Sequence, residues 1–272
     1  MRKTALFLVL LLAGFLVYFV GGYLTTIPHA VRLSVKTAIP FGLLAVHVAC
    51  RRPGAWSEWS GVTLGLLAAS VGFLVAALGA PPINRALGIG TESVSGIALL
   101  KFVESALIVV PALVVARIGG MSFDAMYLRR GRLRLGLIVG VSTFVIFAAL
   151  FVLQSLDQGM DTEKILRWTP WVLLFCFSNA FMEELHFRGL LLGPFERLLG
   201  RHGANVCIAL FFTLVHAPVE YTPDVLVFLA TLFPLALAWG FIIQWTKSIW
   251  ASVLFHAGAD LMILVGIVEA YG

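Results

Sequence analysis

The stretch TPWVLLFCFSNAFMEELHFRGLLL, residues 169–192, decides the fold class of this chain. A helix that crosses a lipid bilayer needs about 20 predominantly apolar residues, and this stretch has that length and composition. Ionisable side chains nevertheless interrupt it, at Glu183, Glu184, His186 and Arg188. Ionisable groups at membrane depth are costly, so their default interpretation is a functional site. The stretch therefore predicts a polar reaction centre inside a membrane.

Apolar stretches of similar length recur along the whole chain. Hydrophobic residues make up 60% of the 272 residues, charged residues only 12%, and the mean hydropathy is +0.99. These values predict an all-α polytopic membrane protein and exclude an ordinary soluble domain. We expect nine membrane helices, centred on residues 4–22, 35–50, 61–80, 96–118, 135–155, 169–192, 204–218, 224–245 and 249–269. The second is short, so eight spans is the alternative.

Prolines are expected to mark two of the span boundaries. Ala80-Pro81-Pro82 is expected to close the third span, and Thr169-Pro170 to open the sixth.

The positive charges of the chain fall on alternate connections between these spans. The connections on one side carry Arg2-Lys3, Arg51-Arg52, Arg129-Arg130, Arg132, Arg134, Arg197, Arg201 and Lys247. The opposite side receives an acidic segment with Asp157, Asp161 and Glu163. Since cytoplasmic connections are enriched in Lys and Arg, this pattern predicts a cytoplasmic N-terminus and a C-terminus outside. The net charge of +5 does not indicate nucleic-acid binding, because no basic domain carries it.

Two ion pairs are predicted from helical spacing, one in the sixth span and one in the fourth. Glu184 and Arg188 are four residues apart, so they share a helical face and can pair. Glu183 points about 100° away and lacks that cation, which suits a general base. The alternative is a salt-bridge cluster at the membrane interface. Lys101 and Glu104 are expected to satisfy each other, or alternatively to line a substrate entrance.

Two later spans each contribute a histidine. His216 lies four residues after Phe212 in the seventh span, and His256 lies four residues before Asp260 in the ninth. The small residues between His256 and Asp260 allow a neighbouring helix or a substrate to approach that face. The structural alternatives are an interfacial His216 and a simple hydrogen bond between His256 and Asp260. From a rise of ~1.5 Å per residue, Glu183 and His256 each lie roughly 10 Å from the cytoplasmic edge of the membrane. His216 and Asp260 lie somewhat deeper. All four could share one cavity.

The joint pattern consists of three short motifs in a fixed order. They are E-E-x-x-x-R at Glu183–Arg188, F-x-x-x-H at Phe212–His216 and H-x-x-x-N/D at His256–Asp260. Together they resemble the CAAX protease and bacteriocin-processing family of intramembrane endopeptidases, also called the Abi family, which includes the Ras-converting CAAX endopeptidase. The resemblance covers roughly residues 170–265. It implies a catalytic helical core at 166–272, preceded by N-terminal membrane helices at 1–165, in one compact membrane domain.

The resemblance also implies roles for individual residues. Glu183 would be the general base that activates a water, and His216 would hold that water. His256 and Asp260 would stabilise the tetrahedral oxyanion, as positioned donors do in other acyl-transfer sites. The eukaryotic branch favours asparagine at the last position, and an ionised Asp260 cannot donate to an oxyanion. Asp260 is therefore protonated, or orients His256, or helps to hold a metal.

The remaining motif residues would support this centre. Glu184 and Arg188 would orient the catalytic pair, and Phe212 belongs to the supporting residues of the second motif. We expect no cofactor. A zinc site formed by Glu183, His216 and His256 is the alternative, because these are acceptable zinc ligands with one position left for water.

The sequence thus predicts a glutamic-type intramembrane endopeptidase that cleaves a lipidated or membrane-anchored peptide or protein near the cytoplasmic face. The expected partners are that substrate and the lipid bilayer, with no nucleic acid, and the expected location is a bacterial inner membrane. One alternative is a catalytically idle membrane scaffold that binds a partner membrane protein. A proton-coupled transporter is a weaker alternative, because no inverted repeat or matching pair of broken helices is visible.

Overall fold

The computed structural model describes residues 2–24, 27–219 and 224–272, and helices dominate that part of the chain. Within it, nine helices are long and apolar enough to cross a membrane, which confirms the all-α fold class and nine spans rather than eight. The helices are α1 (Arg2–Phe15, continued by a π-helix at Leu16–Tyr23), α2 (His29–Cys50), α3 (Ser60–Ala86), α4 (Val94–Ile118), α5 (Leu133–Asp157), α6 (Thr162–Glu183, continued by a π-helix at Glu184–Gly189), α7 (Leu192–Val215), α8 (Val225–Thr246) and α9 (Trp250–Tyr271).

Side-chain caps fix where several of these helices begin. The Ser93 hydroxyl accepts a hydrogen bond from the Gly96 amide at 3.1 Å before α4. Asp161 accepts from the Lys164 amide at 2.7 Å before α6, and Asp224 accepts from the Val227 amide at 3.0 Å before α8. Each cap satisfies one of the amide groups that a helix leaves unpaired in its first turn.

The expectation that prolines mark span boundaries is wrong at both places. α3 continues through Pro81 and Pro82 to Ala86, and α6 begins at Thr162, eight residues before Pro170. A proline removes only one backbone donor from a helix, and membrane helices tolerate that loss because neighbouring groups satisfy the freed carbonyl. The N-cap at Asp161, rather than Pro170, sets the start of α6.

Two other expected boundaries are also corrected. α2 is a full-length span of 22 residues rather than the short segment 35–50. α7 begins at Leu192 rather than 204, and the chain bends sharply inside it at Gly200, where φ is 77° and ψ is 170°. Glycine adopts that positive φ without steric cost, so the chain can change direction at Gly200 and continue as a helix. Residues 192–199, which were expected to form a loop, are therefore helical.

The last four helices surround a polar centre, and the earlier helices cover them. α6 packs between α4 and α9, α7 packs against α8 and α1, and α5 covers α9. α3 packs against both α2 and α4, and at one point its backbone touches α4 directly. A Cβ on Gly72 would lie 2.7 Å from the Ile108 carbonyl oxygen, so this contact requires glycine. The outer helices therefore hold α6 in place, and α6 positions the centre.

Candidate active site

The π-helix at the end of α6 carries most of the ionisable residues of the opening stretch. Its wider turn is closed by the Leu190 amide, which donates to the Leu185 carbonyl at 2.9 Å. Single π turns inside helices are rare and occur frequently at functional sites. Every residue from Glu184 to Gly189 is buried. The turn thus presents charged groups to the interior of the bundle.

Glu184 is the hub of a buried hydrogen-bond network. One carboxylate oxygen accepts from the Arg188 guanidinium at 2.7 Å and from Nδ1 of His256 at 2.8 Å. The other oxygen accepts from the Ser252 hydroxyl at 2.7 Å. The predicted pairing of Glu184 with Arg188 is therefore present, and both side chains are 0% exposed. A buried carboxylate with three donors is well compensated for its loss of water.

Arg188 has further contacts besides its pair with Glu184. A second nitrogen donates to the Ala236 carbonyl of α8 at 3.1 Å. The guanidinium carbon also lies 4.8 Å from the ring centre of Phe212 and 5.4 Å from that of Trp239. A planar cation between aromatic faces and a carboxylate fixes α6, α7 and α8 relative to one another.

Glu183 faces a different set of partners, as its helical position predicts. One of its oxygens lies 3.5 Å from Nε2 of His256, and the other lies 3.9 Å from Nε2 of His216. Both distances exceed that of a good hydrogen bond. Two atoms 3.9 Å apart can, however, both bind one water at ordinary hydrogen-bond length. Glu183 and His216 therefore define a point at which a water could be bound and deprotonated.

Backbone and aromatic contacts orient the two histidines. Nδ1 of His216 lies 2.8 Å from the Phe212 carbonyl, to which it donates, so a neutral His216 turns the lone pair of Nε2 toward Glu183. The His256 ring stacks on Trp239 with centroids 3.9 Å apart and an angle of 8° between the planes. Because Nδ1 of His256 is bound to Glu184, its Nε2 must face Glu183 and Asp260.

Asp260 completes the group. One of its oxygens lies 3.6 Å from Nε2 of His256, and the other accepts from the Asn179 side-chain amide at 3.0 Å. The structure thus brings Glu183, His216, His256 and Asp260 together, as the sequence predicted. His186 is different, because its Nε2 lies 3.0 Å from the Ala69 carbonyl, outside this group.

A cavity of about 890 Å³ connects these residues, with Glu183, His216, His256 and Asp260 in its wall. Most of the rest of the wall is apolar, with aromatic and aliphatic side chains from α6, α8 and α9. Lys101 also reaches this wall, and it pairs with Glu104 at 2.8 Å, which confirms the expected ion pair. The cavity is large enough for several residues of an extended peptide.

A zinc ion at this site would need Glu183, His216 and His256 as its ligands. Across residues 2–24, 27–219 and 224–272, no group of three or more His, Cys, Asp or Glu side chains is arranged to hold one. No reaction step is therefore derived through a metal.

Three residues of the site were missed by the sequence analysis. Ser252 binds Glu184, Asn179 binds Asp260, and Trp239 stacks on His256. Spacing gave a usable signal for two of them: Ser252 lies four residues before His256, and Asn179 four residues before Glu183. Trp239 comes from another helix, and nothing in its local sequence distinguishes it from the other tryptophans.

A model of one known protein family matches a segment in the second half of the chain. Residues 165–262 match the family model described as type II CAAX prenyl endopeptidase Rce1-like. This match confirms the family expected from the three motifs, and its range includes Glu183, His216, His256 and Asp260. No curated protein and no solved structure matches the chain significantly.

Proposed function

Residues 165–262 of this integral membrane chain belong to the Rce1-like CAAX endopeptidases, a family of membrane proteases, and on that premise we propose a Glu183-dependent intramembrane endopeptidase. The observation that carries the proposal is the convergence of Glu183, His216 and His256 on one buried cavity. A carboxylate and two imidazoles at these distances suit acid–base hydrolysis of a peptide bond.

Glu183 acts as the general base. It takes a proton from a water held between its carboxylate and Nε2 of His216, and the hydroxide oxygen attacks the carbonyl carbon of the scissile bond. The same carboxyl group then delivers that proton to the leaving nitrogen, so the carboxylate is regenerated. The support for this role is that Glu183 has no Lys or Arg within ion-pair distance among the described residues, unlike Glu184.

His256 stabilises the negative oxygen of the tetrahedral intermediate. Its Nδ1 is anchored on Glu184, so a doubly protonated ring offers the Nε2 proton to the cavity. Asp260 receives a hydrogen bond from Asn179, and its second oxygen faces Nε2 of His256. We assign Asp260 the orientation of His256 rather than direct donation to the oxyanion.

Glu184, Arg188 and Ser252 position His256 and do not touch the substrate. All three are buried on the side of His256 away from the cavity lining. Their network keeps the ring at a fixed angle before substrate arrives, which lowers the reorganisation needed during the reaction.

The substrate we propose is a lipidated or membrane-anchored peptide or protein, cleaved inside the bilayer of a bacterial inner membrane. From helix geometry at ~1.5 Å per residue, Glu183 lies roughly 9 Å from the α6 end at Gly189. That end faces the Arg-rich connections, so the reaction point lies in the membrane half that we assign to the cytoplasm.

The test uses purified protein in liposomes with a pool of synthetic lipidated peptides, and mass spectrometry of the products. Glu183→Gln keeps the shape of the side chain and removes the base, so cleavage should fall by about 10²–10⁴-fold. Glu163→Gln is the matched control, because Glu163 is 81% exposed and pairs with Arg167 at 2.9 Å, away from the active-site cavity. Equal cleavage by wild type and Glu183→Gln would overturn the role of Glu183 as the base, and absence of cleavage by either protein would favour the scaffold alternative.

A further inference from the structure

The far end of the active-site cavity lies at one particular face of the helix bundle. Because successive helices cross in opposite directions, the C-terminal ends of α1, α5, α7 and α9 share a face with the N-terminal end of α8. The cavity wall at that face includes Gln158, which follows directly after α5, and Gly266 and Ile267 near the end of α9. Gln158 and Gly266 are both exposed. The cavity therefore reaches the surface at this face.

At the opposite face of the bundle, buried side chains separate the active site from the surface. Between Glu183 and that face lie Arg188, Leu190, Leu191 and Ile249, all with 0% exposure. A separate pocket of about 730 Å³ lies there, and it shares no lining residue with the active-site cavity. The reaction point is thus nearer to the closed face, although its cavity extends to the other one.

Charge distinguishes the two faces. Most of the 19 Lys and Arg residues lie at the closed face, namely Arg2, Lys3, Arg51, Arg52, Arg117, Arg129, Arg130, Arg132, Arg134, Arg197, Arg201 and Lys247. The open face carries fewer cations, and acidic residues such as Asp157, Asp161 and Glu163 lie there. Since the cytoplasmic side of membrane proteins is enriched in Lys and Arg, the closed face is assigned to the cytoplasm.

Polar side chains line the outer part of the cavity. Gln154 in the last turn of α5 and Gln158, which follows directly after α5, both line the cavity, whereas the preceding turns of α5 are almost entirely apolar. Thr231 of α8 also lines the cavity, and its hydroxyl donates to the Val227 carbonyl of its own helix at 2.9 Å, so the two glutamine side chains carry the argument. Polar groups at membrane depth are found where they meet water or each other, so they indicate a water-filled mouth.

We propose that the active-site cavity opens to the extracytoplasmic face, and that the substrate is a peptide segment presented from that side, as in an exported or outward-anchored protein. This inference rests on the proposed proteolytic function and specifies its substrate class. Along α9, Ile267 lies ~16 Å from His256 at 1.5 Å per residue. At ~3.3 Å per residue, about five extended residues would separate the mouth from the cleaved bond.

The test is the accessibility of single introduced cysteines to a membrane-impermeant sulfonated thiol reagent. Gly266→Cys and Gln158→Cys report on the mouth, and a side chain at Gly266 meets nothing within 4 Å. Ser57→Cys, exposed at the closed face, is the matched control. Wild type is the blank, because Cys50, Cys176 and Cys207 are at most 6% exposed. Right-side-out and inverted vesicles are compared, and labelling after denaturation measures the total thiol.

We expect Gly266→Cys and Gln158→Cys to react in right-side-out vesicles and Ser57→Cys only in inverted ones. Reaction of the mouth cysteines only in inverted vesicles would overturn the inference, and so would their protection in both until denaturation. The labelling does not need proteolysis, so a chain that labels as expected but cleaves nothing would overturn only the proposed function. Cleavage sites found in cytoplasmic segments would contradict the substrate class even with the expected labelling.

Discussion

Replacing Arg188 with methionine should destabilise the whole bundle. Methionine keeps most of the side-chain length but leaves the Glu184 carboxylate buried at 0% exposure without its cation. Removing one partner of a buried ion pair typically costs about 3–5 kcal/mol, because the remaining charge is uncompensated. The change also removes the hydrogen bond to the Ala236 carbonyl and the contacts with Phe212 and Trp239.

The expected shift in melting temperature follows from that free energy. At roughly 2–4 °C per kcal/mol for a chain of this size class, the apparent Tm should fall by roughly 6–20 °C. The three native cysteines are buried and free, so a dye that fluoresces on reaction with thiols reports unfolding without any added label. The midpoint should be compared at one heating rate, since unfolding of a membrane protein is commonly irreversible.

A double variant separates the lost charge pair from lost packing. Glu184→Gln combined with Arg188→Met leaves no uncompensated charge, so its Tm should be higher than that of Arg188→Met alone. The two single shifts should together exceed the double shift by the equivalent of at least ~1 kcal/mol. A Tm for Arg188→Met within ~2 °C of wild type, or simple additivity of the two changes, would refute the reasoning.

Three further outcomes are expected. Asp260→Asn should keep cleavage within about tenfold of wild type, because an amide can still orient His256, whereas Asp260→Ala should lose about 100-fold. Initial rates on one peptide measure both effects, and a loss in Asp260→Asn as large as that in Asp260→Ala would show that the reaction needs an ionised carboxylate at this position. Gly72→Ala should lower the free energy of unfolding by about 1–3 kcal/mol, because the added Cβ would lie 2.7 Å from the Ile108 carbonyl oxygen. Gly266→Ala is the control, because its Cβ would meet no atom within 4 Å, and equal melting temperatures of the two variants would contradict this prediction. Dialysis against a chelator should leave the cleavage rate unchanged, and restoration of a lost rate by zinc would contradict the metal-free hydrolysis by Glu183 that we propose.

The number of helices and the local ion pairs could be predicted from the sequence because both depend on short-range periodicity. Apolar runs of membrane-spanning length define the nine spans. The pairing of Glu184 with Arg188 follows from a spacing of four, which α and π turns both keep on one side of a helix. The order of the motifs added the association of His216 and His256 with Glu183 through family resemblance.

The boundaries and the cross-helix contacts could not be predicted in the same way. Pro170 is a local signal for a helix start, but the cap at Asp161 and the surrounding helices outweigh it. The stacking of Trp239 on His256 depends on how α8 and α9 cross, which no local pattern encodes. The direction in which the cavity opens depends on which residues of several helices line it, and no local sequence pattern encodes that combination.

The most direct test of the central claim is the comparison of protein termini in membranes of cells that lack the gene and are complemented with wild type or Glu183→Gln. The account predicts at least one defined new terminus with wild type that is absent with Glu183→Gln, at equal membrane levels of the two proteins. Identical termini in the two complemented strains, both different from the deletion, would show that the chain acts without Glu183 chemistry and would contradict the account.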